Sequence, residues 1–297
     1  MFIKRFLLFF LIIVIQKEAT SQIINEIATK VSGYEIPILI HLPSNNEVTK
    51  SPVYFFVHGG GWNGGDENLV PNARLPADSD FLANNLGIIY VGLAYRCKGN
   101  NATFENAIED LEASVKWFCD NASRFNADIS RIAFGGASAG STLSAILAQK
   151  YKNCKVYIGF EGMYNLVDHS VKLSPFPSYE ARKKYGLDSK AKSKKASAYY
   201  NLRNNPTNSL LIHGDSDMLC HYSQSQKIAF VFLLVQFLRK EQALLRIEQA
   251  EKQKKFLQQL KLDKQIEKFR VREVKELEKL EKISLKEQLV VKYLPKH

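Results

Sequence analysis

The sequence predicts an α/β fold, a mostly parallel sheet with helices on both faces, and three observations predict it. Strand-sized apolar runs recur at 53–57, 87–94, 132–134, 155–160 and 210–212. Longer stretches between them carry apolar residues at helical spacing: Ala107, Leu111, Val115 and Phe118 in one, Leu143, Ile146 and Leu147 in another. The two patterns alternate, and alternating strand and helix patterns give a parallel sheet.

Taken in order, Ile24 to Leu42 alternates, with Tyr34, Ile36, Ile38 and Ile40 on one face, and predicts antiparallel opening strands closed by a turn at Pro43-Ser44-Asn45-Asn46. Val53 to Val57 is a buried strand ending in His58-Gly59-Gly60-Gly61-Trp62. A Gly-, Asn- and Pro-rich loop (63–76) leads to a short helix around Phe81 to Asn85. The run 87–94, GIIYVGLA, is apolar throughout and predicts a buried parallel strand. A helix follows over 104–123, then a strand at Ile132 to Phe134, a turn and a helix.

That turn is Gly135-Gly136-Ala137-Ser138-Ala139-Gly140. A G-x-S-x-G match between strand and helix is a nucleophile elbow. The serine takes a strained conformation, and a side chain two places before or after it would clash, so Gly136 and Gly140 are sterically required. HGGGW lies 80 residues before Ser138 and the strand–HGxxD stretch 210–217 ends 79 residues after it. These three motifs, in this order and spacing, resemble the α/β-hydrolase superfamily over about residues 31–228. The resemblance is to the HGGGW carboxylesterases, which include feruloyl and acetyl esterases, hormone-sensitive-lipase-like enzymes and kynurenine formamidase.

The resemblance implies an ester hydrolase working through an acyl-enzyme on Ser138. The backbone N–H groups of Gly60, Gly61 and Ala139 would hold the oxyanion, and Asp217 would be the acid, with Asp215 as runner-up. Asp110 and Trp117 match the family's D-x(6)-W helix beside the elbow, and Asp128 its turn into the nucleophile strand. The family's catalytic histidine follows one more strand, about 30 residues past the acid and behind a glycine. Here no glycine follows Gly214, and the later histidines are His221 and His297. His221, four residues past Asp217, is the one candidate base. His58 reads as a brace of the oxyanion loop, and His213 as a strand-end residue.

From Asp215 to Leu294 there is neither glycine nor proline, and the composition turns to Lys, Glu, Gln and Leu. The final strand and its histidine are therefore expected to be replaced by a long amphipathic helix, with Leu262, Ile266, Phe269, Val274, Leu277 and Leu280 on one side. Either that replacement is native, or the reading frame changes near residue 229. The expected organisation is a signal peptide (1–21), a hydrolase domain (22–228) with a short polar, lysine-rich cap at 168–202, and a helical tail (229–297). Two functions stay open: a serine hydrolase of carboxylic esters with impaired activity, and an inactive hydrolase fold that binds a partner through the tail.

Composition narrows the rest. With 297 residues, 45% of them hydrophobic, the chain can bury a large core. Lys4 and Arg5 precede ten apolar residues, Phe6 to Ile15, and small residues at 19–21, the pattern of a secretory signal too short to span a bilayer. Sequons at Asn101 and Asn121 fit secretion. Four cysteines (97, 119, 154 and 220) allow three pairings, and Cys119 with Cys154 is the expected one. No cofactor or metal motif is present. Of the net charge of +11, seven units fall after residue 238, where 17 Lys/Arg face 10 Asp/Glu. The charge is thus a solvated helix face, and nucleic acid is not an expected partner. The expected substrate is a small-molecule ester with a small or aromatic acyl group, because the cap lacks the apolar face of an interfacial lipase.

Overall fold

A computed structural model describes residues 21–44, 50–64, 73–74, 79–167, 183, 185–202 and 207–259, with the pairs 275–276 and 278–279. The signal peptide, most of the 63–76 loop, the first part of the cap and the whole of the tail's apolar stripe lie outside the described residues.

The chain opens with β1 (Gln22–Val31) and β2 (Tyr34–Leu42), antiparallel to one another. Ser32 and Gly33 join them, both at positive φ (49° and 84°), as a two-residue hairpin turn requires. Then come β3 (Ser51–Val57), α1 (Ser79–Leu86), β4 (Ile89–Leu93), α2 (Phe104–Asp120), β5 (Ala127–Ala137), α3 (Ala139–Lys150) and β6 (Cys154–Phe160). The short α4 (Lys190–Lys195), β7 (Asn208–Ile212) and the 37-residue α5 (Ser223–Gln259) complete it. The strands form one sheet, ordered β1-β2-β4-β3-β5-β6-β7 and parallel from β4 to β7. Among the described residues no strand follows β7, which stands at the sheet edge.

Strand β3 explains why the sheet is covered on both faces. Val53, Phe55 and Val57 point to one side, into a core shared with Leu111, Val115 and Phe118 of α2 and Leu143 and Leu147 of α3. Tyr54 and Phe56 point to the other, with Tyr90, and pack against Leu82 of α1. Phe55 is held between Phe134, stacked at 5.3 Å, and Phe118, edge-on at 5.4 Å.

The helix α5 begins before the composition shift at residue 229. Ile228 and Phe232 are buried in the main core, and the Gln224 side chain accepts from the N–H groups of Tyr164 and Asn165 at 3.1 and 2.8 Å. The start of α5 is therefore part of the hydrolase core. None of the four cysteines forms a disulfide, so the structure replaces the expected Cys119–Cys154 bridge with two thiols. Cys154 donates to Val156 O, and Cys119 lies half-buried on α2.

Candidate functional site

The site is built on the C-terminal ends of the central strands. β5 runs to Ala137 and α3 starts at Ala139, which leaves Ser138 alone at the corner with φ 52° and ψ −119°. A non-glycine residue there is strained and needs its surroundings to hold it. Its N–H donates to Phe160 O at 2.8 Å, tying the corner to β6. A Cβ on Gly136 would come within 2.6 Å of Gly140 backbone, and one on Gly140 within 2.1 Å of Val57 O. The strand-to-helix crossing therefore has no room for a side chain at either place, as the sequence motif requires.

The HGGGW loop rests on this corner. A Cβ on Gly59 would meet Ala137 O at 2.8 Å and the Ser138 Cβ at 3.3 Å. Gly60, Gly61 and Trp62 all have positive φ (125°, 62° and 60°). The N–H groups of Gly60, Gly61 and Ala139 have no acceptor among the described residues, and the Ala139 N–H belongs to the first turn of α3, where orphan amides favour an anion.

Residues that sequence reasoning did not single out hold the loop. Tyr95 donates its hydroxyl to His58 O at 3.1 Å and stacks on the His58 ring at 4.6 Å. Trp62 stacks on Tyr185 at 5.7 Å, and Tyr185 donates to Arg96 O at 2.9 Å. Arg96 in turn forms a buried bidentate pair with Asp110, its Nε and guanidinium nitrogen within 2.8–3.1 Å of both carboxylate oxygens. Asp110 is thus a loop anchor acting through Arg96. The signal for it was an arginine closing a wholly apolar strand run. Trp117 is half-buried against the core, in keeping with a packing role. Asp128 is structural, its carboxyl held down at about 2 by hydrogen bonds from Ser130 and Arg131.

His58 braces the loop as expected. Its Nδ1 donates to Gly59 O at 2.7 Å, which leaves Nε2 an unprotonated, buried acceptor without a partner. Burial pushes its pKa below the ordinary histidine value.

Ser138 is half-buried, and it shares a pocket with Gly61, Trp62, Ala139, Glu161, Met163, Leu219 and Cys220. Its hydroxyl has no hydrogen-bond partner among the described residues. The acid-side residues are engaged elsewhere. Asp217 Oδ1 accepts from the N–H groups of Leu219 and Cys220 at 2.7 and 2.9 Å, and Oδ2 lies 3.2 Å from His213 Nε2. His213 Nε2 also donates to Cys220 O at 2.5 Å, and its Nδ1 is 2.8 Å from Ser225 Oγ. An Nε2–H that faces both oxygens, with Nδ1 and Ser225 Oγ sharing the third bond, satisfies all of these contacts. The His213–Asp217 pair therefore shapes the 214–220 loop, which brings Leu219 and Cys220 to Ser138.

His221 uses Nδ1 to accept from Ser223 N–H at 3.2 Å at the start of α5, and its ring packs on Tyr222 at 4.5 Å. These contacts include neither Asp217 nor Ser138. Asp215 is exposed and accepts from Ser216 Oγ. Cys220, although in the pocket, is no substitute nucleophile: burial pushes its thiol up to about 12.

A mostly parallel sheet with a strained serine between strand and helix, under a glycine loop with free amides, defines the α/β-hydrolase class. Comparison with known proteins agrees. The chain belongs to the BD-FAE family, an esterase type of α/β-hydrolase, whose pattern matches residues 38–231. It is 30% identical over 128 residues to arylacetamide deacetylase of Bos taurus, a match covering 42% of this chain and 31% of that protein. It is 34% identical over 120 residues to carboxylesterase NlhH of Mycobacterium tuberculosis, covering 39% and 34%. The matches thus span about a third of these relatives' length. Thermogutta terrifontis esterase 2 phosphonylated by sarin superposes with a TM-score of 0.57 at 17% identity, over 73% of this chain and 80% of that one.

Proposed function

We propose that the chain is a serine hydrolase of small carboxylic esters, acting through an acyl-enzyme on Ser138. The observation that carries this reading is the exposed edge of a strained Ser138 beside the unclaimed amides of Gly60, Gly61 and Ala139. Attack by Ser138 Oγ on the ester carbonyl would place the developing oxyanion against those amides, and loss of one such donor typically costs about 100- to 1,000-fold. The names of the relatives, a deacetylase and a carboxylesterase, support the same chemistry. The space beside Ser138 is tight, about 10 Å³, which favours a short or compact acyl group.

Turnover in this reading is slow, because a serine hydroxyl without a hydrogen-bonded base is a weak nucleophile at neutral pH. The oxyanion hole and binding alone still give roughly 1,000- to 10,000-fold over water. We further propose that the chain is secreted. The N-terminal basic-apolar pattern supports this, as does the exposure of Asn101 at a left-handed corner (φ 51°). The second sequon is less open, since Asn121 Nδ2 donates to Trp117 O at 2.8 Å.

The test is labelling of the purified chain with a fluorophosphonate, alongside hydrolysis of short and long p-nitrophenyl esters. Slow labelling and slow short-chain turnover, both lost in Ser138→Ala, are expected. A chain that is never labelled would instead be an inactive fold that binds a partner.

A further inference from the structure

One charged side chain lies in the Ser138 pocket, and the proposed reaction does not use it. Glu161 follows directly on β6, and the register Ala137↔Phe160↔Ile212 sets Ser138, Glu161 and His213 side by side at the ends of three adjacent strands. The backbone there is fixed from both sides: Ser138 N–H donates to Phe160 O, and Glu161 N–H donates to Ile212 O, each at 2.8 Å. Glu161 also has a positive φ of 52°, as Ser138 does, a conformation that costs a β-carbon-bearing residue energy.

Glu161 is exposed and is among the residues that line the pocket with Ser138, and beside burial its charge helps push up the thiol of Cys220, another lining residue. Among the described residues the Glu161 carboxylate makes no ion pair and no hydrogen bond. Its pocket neighbours are apolar or uncharged: Trp62, Ala139, Met163, Leu219 and Cys220. An ordinary surface glutamate is solvated and indifferent to its site. This one belongs to the pocket that Ser138 shares with Gly61 and Ala139, and a carboxylate near a developing negative charge opposes it. A substrate carrying a positive group removes the conflict, because the group neutralises Glu161, with solvent screening part of the attraction.

On the reading that Ser138 is the acyl nucleophile, we propose that Glu161 makes this pocket selective for esters bearing a cationic group, such as an ammonium, over neutral or anionic ones. Glu161 touches the substrate's charge and takes no part in bond making. Because the carboxylate is exposed, its effect is that of a partly screened pair, about three- to tenfold in rate and falling with salt.

The experiment compares two phosphonothioates that differ only in the leaving group, one carrying a trimethylammonioethyl thiol and one its uncharged 3,3-dimethylbutyl isostere. In both, the Ser138 Oγ–P bond forms, the P–S bond breaks, the thiolate departs and the hydroxyl proton passes to solvent. The adduct is therefore the same, and intact mass gives both rates. Each labelling rate is divided by the same probe's rate with hydroxide, which removes the leaving groups' own difference in reactivity. We expect the cationic probe to be about fivefold faster on that scale at low ionic strength. In Glu161→Gln the normalised ratio should fall to near one, with the neutral probe labelling no slower than in the parent chain. A normalised ratio near one in the parent, or one unchanged by Glu161→Gln, overturns the proposal. Equal loss of labelling by both probes in Glu161→Gln also overturns it, since charge selection cannot do that.

Failure of both probes to label Ser138 would sink the hydrolase reading, and binding then decides the selectivity. Saturation-transfer NMR with choline, on Ser138→Ala with and without Glu161→Gln, should show contact that disappears with the carboxylate. Choline contact that ignores Glu161, or none at all, overturns the proposal whatever becomes of the hydrolase reading.

Discussion

Replacing Asp110 by alanine tests how the oxyanion loop is held. The Asp110 carboxylate is 1% exposed and the Arg96 side chain 6%, so the pair is desolvated on both sides. Its oxygens take the Arg96 Nε at 3.1 and 2.9 Å, the terminal nitrogen at 2.8 Å and the Arg96 backbone N–H at 2.9 Å. A guanidinium does not deprotonate in proteins, so Arg96 stays charged when its partner is lost. Removing one partner of such a pair leaves a buried charge uncompensated and costs about 3–5 kcal/mol. With a urea slope of about 2 kcal/mol/M, the unfolding midpoint should drop by about 2 M. Removing both charges in Arg96→Met/Asp110→Leu should cost less than Asp110→Ala alone. Arg96 also lies between Tyr95, which bonds His58 O, and its own carbonyl, which Tyr185 bonds beneath Trp62. Fluorophosphonate labelling of Ser138 should therefore fall in Asp110→Ala at urea concentrations well below its midpoint. A midpoint moved by less than about 0.5 M, or a double variant as unstable as the single one, would refute the reasoning.

Gly140→Ala should fold poorly or not at all, because its Cβ would sit 2.1 Å from Val57 O and 2.3 Å from His58 O, both backbone atoms of a buried strand end; soluble yield and thermal midpoint measure it. His221→Ala should leave Ser138 labelling unchanged and cost roughly 1 kcal/mol in urea unfolding, the worth of a lost bond to a helix-end amide. An abolished labelling rate would make His221 the base. For His58 the folded pKa lies below 6.5 and the unfolded one near it, so the unfolded chain binds more protons between the two. Stability should then rise with pH through that window and be lost as pH falls below about 6.5, a slope that His58→Gln removes.

Steric requirements were the most legible part of the sequence. Gly136, Ser138 and Gly140 declare the corner because no other residues fit it, and apolar run lengths declare the strands. The Ser32-Gly33 hairpin passed unnoticed inside an alternating stretch, although its glycine was the available signal. Residues acting through a partner distant in sequence were the least legible. Tyr95, Arg96 and Tyr185 reach the HGGGW loop from two separate segments, and nothing local in any of them names the others. The cysteines misled because spacing and compartment say which pairings are allowed, whereas pairing needs two side chains to converge in space. Helix α5 runs through the composition shift at residue 229: Gln224 and Ile228 before it join the core through contacts with 164–165 and the central cluster, and so does Phe232 just beyond it.

The nucleophile and its base depend on different physics, which is why one can persist without the other. Ser138 is fixed by close backbone approaches between 136–140 and the end of β3 and by one bond to β6, all made by segments that precede β7 in the chain. A base needs a further segment to bring an imidazole between Ser138 and a carboxylate with a free oxygen. Here Asp217 Oδ1 already takes two amides, and Oδ2 faces His213, whose own Nε2–H also serves Cys220 O. Asp217 thus stabilises the loop that walls the pocket, a role that competes with orienting a base. A histidine supplied to this site would have to displace His213 from Asp217 as well as reach Ser138. The strained serine therefore speaks for membership of the esterase family, and any imidazole that is to be oriented by Asp217 has to compete with the bonds this carboxylate already makes.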